Sequence, residues 1–73
     1  MAIGETLTPE EQAERIYRQA IYNVRAKDLP MTFTNFLYEI YQELKELENY
    51  VPRDYLARTI RELIIRIYER WVW

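Results

Sequence analysis

Residues 8–30 read TPEEQAERIYRQAIYNVRAKDLP, and this stretch sets the fold class. Thr8 can cap a helix, Pro9 suits a first helical turn, and Glu11 stands where it completes a capping box with Thr8. The apolar residues that follow have the spacing of one helical face. They are Ala13, Ile16, Tyr17, Ala20, Ile21 and Val24. Pro30 then interrupts the pattern, so this stretch predicts one amphipathic helix.

Two more apolar stripes with the same period follow along the chain. The second comprises Phe33, Phe36, Leu37, Ile40, Leu44 and Leu47, with Tyr41 at its edge. Either Thr32 or Thr34 can cap that helix. The third stripe begins shortly after Pro52 and comprises Leu56, Ile60, Leu63, Ile64, Ile67 and Trp71, flanked by Tyr68. The three patterns predict helices over residues 9–27, 32–49 and 53–71.

The chain has 73 residues, and its one glycine is Gly4. Tight β-hairpins need residues with positive φ, so a chain without glycine beyond position 4 is unsuited to them. Helices joined by short connections run alternately up and down. We therefore expect an all-α fold, a compact up-down-up three-helix bundle. Residues 1–7 lack periodicity and predict a flexible tail, with one domain over residues 8–73.

Acidic residues precede basic ones by four positions on the first and third helices, which is the favourable orientation for a helical ion pair. The predicted pairs are Glu11–Arg15, Glu14–Arg18, Asp54–Arg58 and Glu62–Arg66.

The composition argues against most enzyme chemistry. The sequence contains no histidine and no cysteine, so it lacks the usual general base near neutral pH and the common zinc ligands. Phosphate-binding loops need glycines that are missing here. We expect no catalytic residues, no cofactor and no small-molecule substrate.

Carboxylates remain as possible metal ligands, since Glu39, Glu43 and Glu46 follow a helical spacing on the second helix. Such a cluster can bind a hard cation. These residues lie away from the stripe between Phe36 and Leu47, so the preferred interpretation is a solvated helix face without a metal.

Residues 1–4 are followed by a polar stretch without the apolar core of a signal peptide. No apolar run approaches the roughly 18 residues of a membrane span. These features predict an intracellular, cytoplasmic protein.

The first helix carries a candidate partner-binding surface. Tyr22 lies opposite the apolar stripe, and Arg15, Arg18 and Arg25 are placed around it. Arginine and tyrosine are enriched at interface hot spots and also contact phosphates and bases. The alternative interpretation is that Arg15 and Arg18 only serve the glutamates four residues before them.

The third helix carries a second candidate surface. Ile65 and Val72 lie two turns apart on a line away from the core stripe, with Arg58 and Arg61 around them, and Trp73 extends the apolar excess to the last residue. An apolar pair ringed by charge resembles a small interface. The alternative interpretation makes this helix the central, widely buried one.

A chain of this size has little stabilising surplus when it folds alone. We therefore expect a protein–protein interaction module that docks on a partner or forms a homodimer, with the third helix in the interface. Small acidic chains without cysteine are common among adaptor and regulatory subunits and among phage and viral accessory proteins. The alternative hypothesis is a nucleic-acid-binding regulator that uses arginines of the first or third helix, although the isoelectric point near 5.1 weakens it.

Overall fold

The computed structural model describes residues 7–71. Within that range the chain forms three helices and no strand: α1 (Pro9–Ala26), α2 (Phe33–Leu47) and α3 (Arg53–Trp71). All six helix ends fall within two residues of the predicted positions. The predicted all-α three-helix bundle is therefore confirmed. Of the predicted N-terminal tail, residues 1–6 lie outside the described range, and the Leu7 carbonyl accepts a hydrogen bond from the Tyr55 hydroxyl.

The start of α1 is held by the predicted capping box. The Glu11 backbone N–H donates to Thr8 Oγ1 at 3.1 Å, and the Thr8 backbone N–H donates to Glu11 Oε1 at 2.9 Å. Two backbone donors that the helix leaves unpaired are thereby satisfied. Because the Glu11 carboxylate turns back toward Thr8, it does not form the predicted ion pair with Arg15 among the described residues.

The end of α1 is closed by a Schellman motif after Lys27. The Leu29 backbone N–H donates to the Val24 carbonyl at 3.1 Å, and the Asp28 backbone N–H donates to the Arg25 carbonyl at 3.0 Å. Asp28 has φ 57° and occupies the left-handed position that glycine usually takes, which aspartate tolerates better than most residues. This turn reverses the chain into α2, whose cap is Thr32.

Helix α1 is the central element of the bundle. It packs extensively against both α2 and α3, whereas α2 and α3 make much less contact with each other. The buried apolar side chains come mainly from α1, and they are Ala13, Ile16, Tyr17, Ala20, Val24, Phe36, Ile40 and Leu63. The interpretation that the third helix is the central one is therefore wrong. Ala13 and Ala20 are fully buried, and their small side chains leave room for two neighbours to approach α1 closely.

An aromatic cluster fixes the end of α3 against the start of α2. The rings of Phe36 and Trp71 lie 5.0 Å apart between centroids, and those of Phe33 and Trp71 lie 5.5 Å apart. Tyr17 of α1 packs edge-on against Phe36 at 4.9 Å. Edge-to-face and tilted pairs at these distances are favourable aromatic geometries. The cluster therefore holds the first turn of α2 beside the last turn of α3.

Glu14 binds three arginines, of which two, Arg66 and Arg70, connect α1 to α3. Its carboxylate accepts hydrogen bonds from Arg66 Nε at 3.1 Å, Arg70 Nη2 at 3.1 Å and Arg18 Nε at 3.0 Å. Hydrogen bonding from Arg70, supported by Arg66 and Arg18, lowers the pKa of Glu14 to about 2, although partial burial opposes this shift. The sequence predicted the Arg18 contact and missed the two arginines from α3.

Of the two ion pairs predicted within α3, one forms among the described residues. Arg66 Nη1 also contacts Glu62 Oε1 at 2.9 Å, as the spacing predicted. The predicted pair between Asp54 and Arg58 is absent from the described part of the chain. A pair between exposed residues such as Asp54 and Arg58 contributes little, so its absence changes the fold only slightly.

The pKa of Glu14 predicts an acid-sensitive contact between α1 and α3. The folded-state pKa of about 2 lies below the ordinary value of 4.5, so the contribution of Glu14 to stability is complete above about pH 4.5. That contribution is lost as the pH falls through this window toward 2. We expect Glu14→Gln to be less stable than the wild type at neutral pH, with the difference shrinking at acid pH. Urea unfolding across the pH range measures this, and parallel pH profiles for the two proteins would contradict it.

Candidate functional site

Four residues of the predicted core stripes lie at the surface. Phe33 and Leu37 of α2 are exposed, and so are Ile60 and Ile64 of α3, with Ile64 at 60%. The prediction that these side chains are buried is wrong. The reason is that α2 and α3 each pack on α1 and make little contact with each other, so the flank of each stripe that would close the bundle stays in water.

The exposed apolar side chains form two lines that run side by side. Phe33, Leu37 and Tyr41 are spaced by four residues on α2, and Ile60, Ile64 and Tyr68 are spaced by four on α3, so each set lies along one side of its helix. Contacts hold the two lines together near both ends. Phe33 meets Trp71 at one end, and a shallow depression near the other is lined by Tyr41, Leu44, Lys45, Glu48, Leu56 and Ile60.

We call this surface the α2–α3 groove. It comprises Phe33, Leu37, Tyr41, Leu44, Leu56, Ile60, Ile64 and Tyr68. Sequence reasoning missed Leu37 and Ile64 as surface residues. The sequence feature that could have indicated their exposure is the width of the apolar stripes. Tyr41 and Tyr68 make each stripe wider than one helix–helix contact can cover.

Charged side chains lie around one end of the groove. Lys45 Nζ lies 5.8 Å from the centroid of the Tyr41 ring, and Arg61 is the exposed residue that follows Ile60. Neither Lys45 nor Arg61 forms an ion pair within residues 7–71. Glu48 lines the same depression as Lys45, at the end of the groove where the chain passes from α2 to α3. That end of the groove therefore carries charges of both signs.

Three of the four residues of the predicted α1 surface line one depression. Tyr22 is 65% exposed and lines a shallow depression together with Arg15 and Arg18. Glu11 and Glu14 line the same depression, and Arg18 is paired with Glu14. The fourth predicted residue, Arg25, lines a different depression beside Tyr17, Ile21, Met31, Arg70 and Trp71. Arg25 lies one helical turn after Tyr22, and it lines this second depression and not the first.

The predicted surface on α3 is described only in part. Ile65 is exposed, as are Arg58 and Arg61. Val72 and Trp73 lie outside the described residues. Ile65 lies one helical turn before Tyr68, so the predicted patch adjoins the groove at Tyr68.

The prediction that Glu39 and Glu43 lie on a solvated face of α2 is wrong. Glu39 is 2% exposed, and its Oε2 accepts a hydrogen bond from Lys27 Nζ at 2.6 Å. Glu43 is half-buried and accepts a hydrogen bond from Asn23 Nδ2 at 3.2 Å. Both carboxylates face α1, because the contact between α1 and α2 extends past the apolar stripe. Glu46 is exposed, as predicted, and residues 7–71 contain no cluster of metal-ligating side chains.

The pairing of Lys27 with buried Glu39 predicts that removing one partner lowers stability more than replacing both. The hydrogen bond to Glu39 raises the pKa of Lys27, so Lys27 is charged at neutral pH. Lys27→Met leaves the buried carboxylate without its cation, which is costly, whereas replacing both partners with apolar residues removes the buried charge. We expect Lys27→Met to melt at a lower temperature than Lys27→Met/Glu39→Met in thermal unfolding at pH 7. The reverse order would show that the pair itself stabilises the fold.

No protein-family profile matches this chain, and no match was found among curated proteins or solved structures. None of the helices within residues 7–71 is both long and apolar enough to span a membrane. The argument for function therefore depends on the surfaces of this chain.

Proposed function

We propose that this chain is a non-catalytic protein–protein interaction module whose α2–α3 groove docks a partner protein. The observation that carries the proposal is the exposure of apolar residues that have core spacing, among them Leu37 and Ile64. Contiguous apolar surface is unfavourable in water, and its usual role is to be covered by another protein. In this role the chain acts as an adaptor, regulatory or accessory subunit of an intracellular assembly.

The positions of the shifted pKa values support a non-catalytic role. The pKa of Glu14 is lowered by arginines at the contact between α1 and α3, and the pKa of Lys27 is raised by Glu39 at the contact between α1 and α2. Structural ion-pair networks shift pKa values just as catalytic clefts do. Both shifts here have their physical cause in interhelical pairs, so neither calls for a catalytic role.

The alternative role, binding of a nucleic acid, has weaker support. Glu11 and Glu14 line the same depression as Arg15 and Arg18, so the surface around Tyr22 has mixed charge. Two arginines of α3, Arg66 and Arg70, are already bound to glutamates. Phosphate binding requires several uncompensated cations and weakens steeply as salt rises. An apolar groove predicts binding that depends much less on salt.

The proposal predicts that substitutions in the groove remove binding without unfolding the chain. We expect Leu37→Asp/Ile64→Asp to weaken a partner complex, reconstituted from purified components, by about 100-fold or more, since both residues lie in the centre of the interface. Their exposure in the free protein predicts a small effect on folding. Isothermal titration calorimetry measures affinity, and circular dichroism verifies the helical fold.

The matched control is Tyr22→Asp/Gln19→Asp, which places the same two charges on the exposed face of α1. This control should bind the partner as tightly as the wild type. If the α1 variant loses binding and the groove variant retains it, the docking surface is the face around Tyr22.

A further inference from the structure

We propose that the partner protein that covers the α2–α3 groove is a second copy of this chain, related to the first by a two-fold axis parallel to α2 and α3. This inference depends on the proposed docking function and names the partner. It is carried by the apolar area that the groove exposes and by the charges of both signs at one of its ends.

The exposed apolar area of the groove matches what a stable dimer needs. Six of its eight apolar side chains are between 36% and 68% exposed, which leaves about 600 Å² of apolar surface in water on each chain. A standard protein–protein interface buries about 800 Å² on each partner, of which about 65%, or roughly 500 Å², is apolar in homodimers. The groove alone therefore supplies the apolar half of a dimer interface. The six side chains are Phe33, Leu37, Tyr41, Ile60, Ile64 and Tyr68.

Symmetry lets one contact cover both grooves. When two copies meet groove to groove, each chain covers the exposed residues of the other with its own, so both apolar surfaces leave water together. Phe33 at the start of α2 contacts Trp71 at the end of α3, so these two helices run in opposite directions. The two-fold axis parallel to them lays α2 of each copy against α3 of the other. Every helix at the interface then lies antiparallel to its neighbours, as in an up-down four-helix bundle.

The charges at the end of the groove where α2 passes to α3 fit the same arrangement. Lys45 and Glu48 line one depression there, together with Ile60, and neither forms an ion pair among the described residues. The proposed axis places this depression opposite its own copy, so Lys45 of each chain approaches Glu48 of the other. A surface that carries both signs is complementary to itself, whereas a surface of one sign repels a second copy.

Analytical ultracentrifugation of the full chain tests this inference. Interfaces of this size have dissociation constants from micromolar to picomolar, so at about 100 µM we expect twice the chain mass of 9.0 kDa. Leu37→Asp/Ile64→Asp places carboxylates in the centre of the interface and should raise the dimer dissociation constant about 100-fold or more. The matched control, Tyr22→Asp/Gln19→Asp, adds the same two charges on the exposed face of α1 and should dimerise like the wild type. Circular dichroism verifies that both variants remain helical.

Exchange of the two charges is a second test that leaves the apolar residues and the fold intact, because Lys45 and Glu48 are both exposed. Lys45→Glu faces Glu48 of the other copy with the same sign, so we expect the dissociation constant to rise about fivefold at low salt. Lys45→Glu/Glu48→Lys restores opposite charges across the axis and should restore the wild-type value. Lys45→Glu/Glu10→Lys restores only the net charge, from exposed Glu10 on α1, and should stay as weak as Lys45→Glu. Equal recovery in both double variants would overturn the pairing across the axis.

Other outcomes separate this inference from the proposed function. If the wild type sediments as a monomer at about 100 µM, a second copy is excluded as the occupant, and the groove is left to a different partner. If the wild type is a dimer that Tyr22→Asp/Gln19→Asp dissociates and Leu37→Asp/Ile64→Asp does not, the copies meet through α1 and the inference is overturned. The docking function itself fails only if a reconstituted complex with any partner is insensitive to the groove variant.

Discussion

Phe36→Ala is expected to cost about 3–5 kcal/mol of unfolding free energy, the largest effect of any substitution considered. Phe36 is fully buried and packs against Tyr17 of α1 and Trp71 of α3. It is therefore the side chain through which all three helices meet. Truncation removes its contacts with both partners and leaves a cavity that the three surrounding helices fill only in part. Urea unfolding followed by circular dichroism measures the cost.

The control for this prediction is Phe33→Ala, one turn earlier on α2. Phe33 also contacts Trp71, but it is 45% exposed at the edge of the groove. We expect a cost of about 1 kcal/mol, mainly from the lost aromatic pair. Equal costs for the two phenylalanines would show that α2 is rotated relative to the position described here.

Leu63→Ala is expected to cost about 2–5 kcal/mol, whereas Ile64→Ala should stay within about 0.5 kcal/mol of the wild type. The two residues are neighbours in sequence and both belong to the predicted stripe of α3. Leu63 is 2% exposed and faces α1, whereas Ile64 borders the groove. The same unfolding measurement applies to both variants. A large cost for Ile64→Ala would mean that α2 and α3 close over it and that no groove exists in solution.

Local structure was the part of the fold that the sequence predicted well. Thr8 and Glu11 bind each other across three residues of sequence, so their spacing alone identifies the cap. The apolar period of 3.6 residues likewise fixes the helical state of each segment, because it depends only on neighbours along the chain. Pro30 and Pro52 marked the two connections for the same reason.

Burial was harder to predict, because it depends on how the helices are arranged. Leu63 and Ile64 satisfy the same apolar pattern, yet only one of them faces α1. Glu39 is buried and paired with Lys27, which lies twelve residues away at the end of α1. The two arginines of α3 reach Glu14 across more than fifty residues of sequence. Contacts between residues so far apart in the sequence leave no periodic pattern in it. The groove forms because α2 and α3 each pack against α1 and make little contact with each other.

The central claim is that a partner protein covers the groove between α2 and α3. The chain contains no cysteine, so Ile64→Cys and Tyr22→Cys each introduce one thiol. The direct measurement is the rate at which each thiol reacts with a maleimide, with and without a saturating concentration of the reconstituted partner. We predict that the partner slows the reaction of Ile64→Cys by about tenfold or more and leaves Tyr22→Cys unchanged, because a covered side chain at the centre of an interface is shielded from solvent. An unchanged rate for Ile64→Cys in the complex, with Tyr22→Cys slowed instead, would contradict the claim.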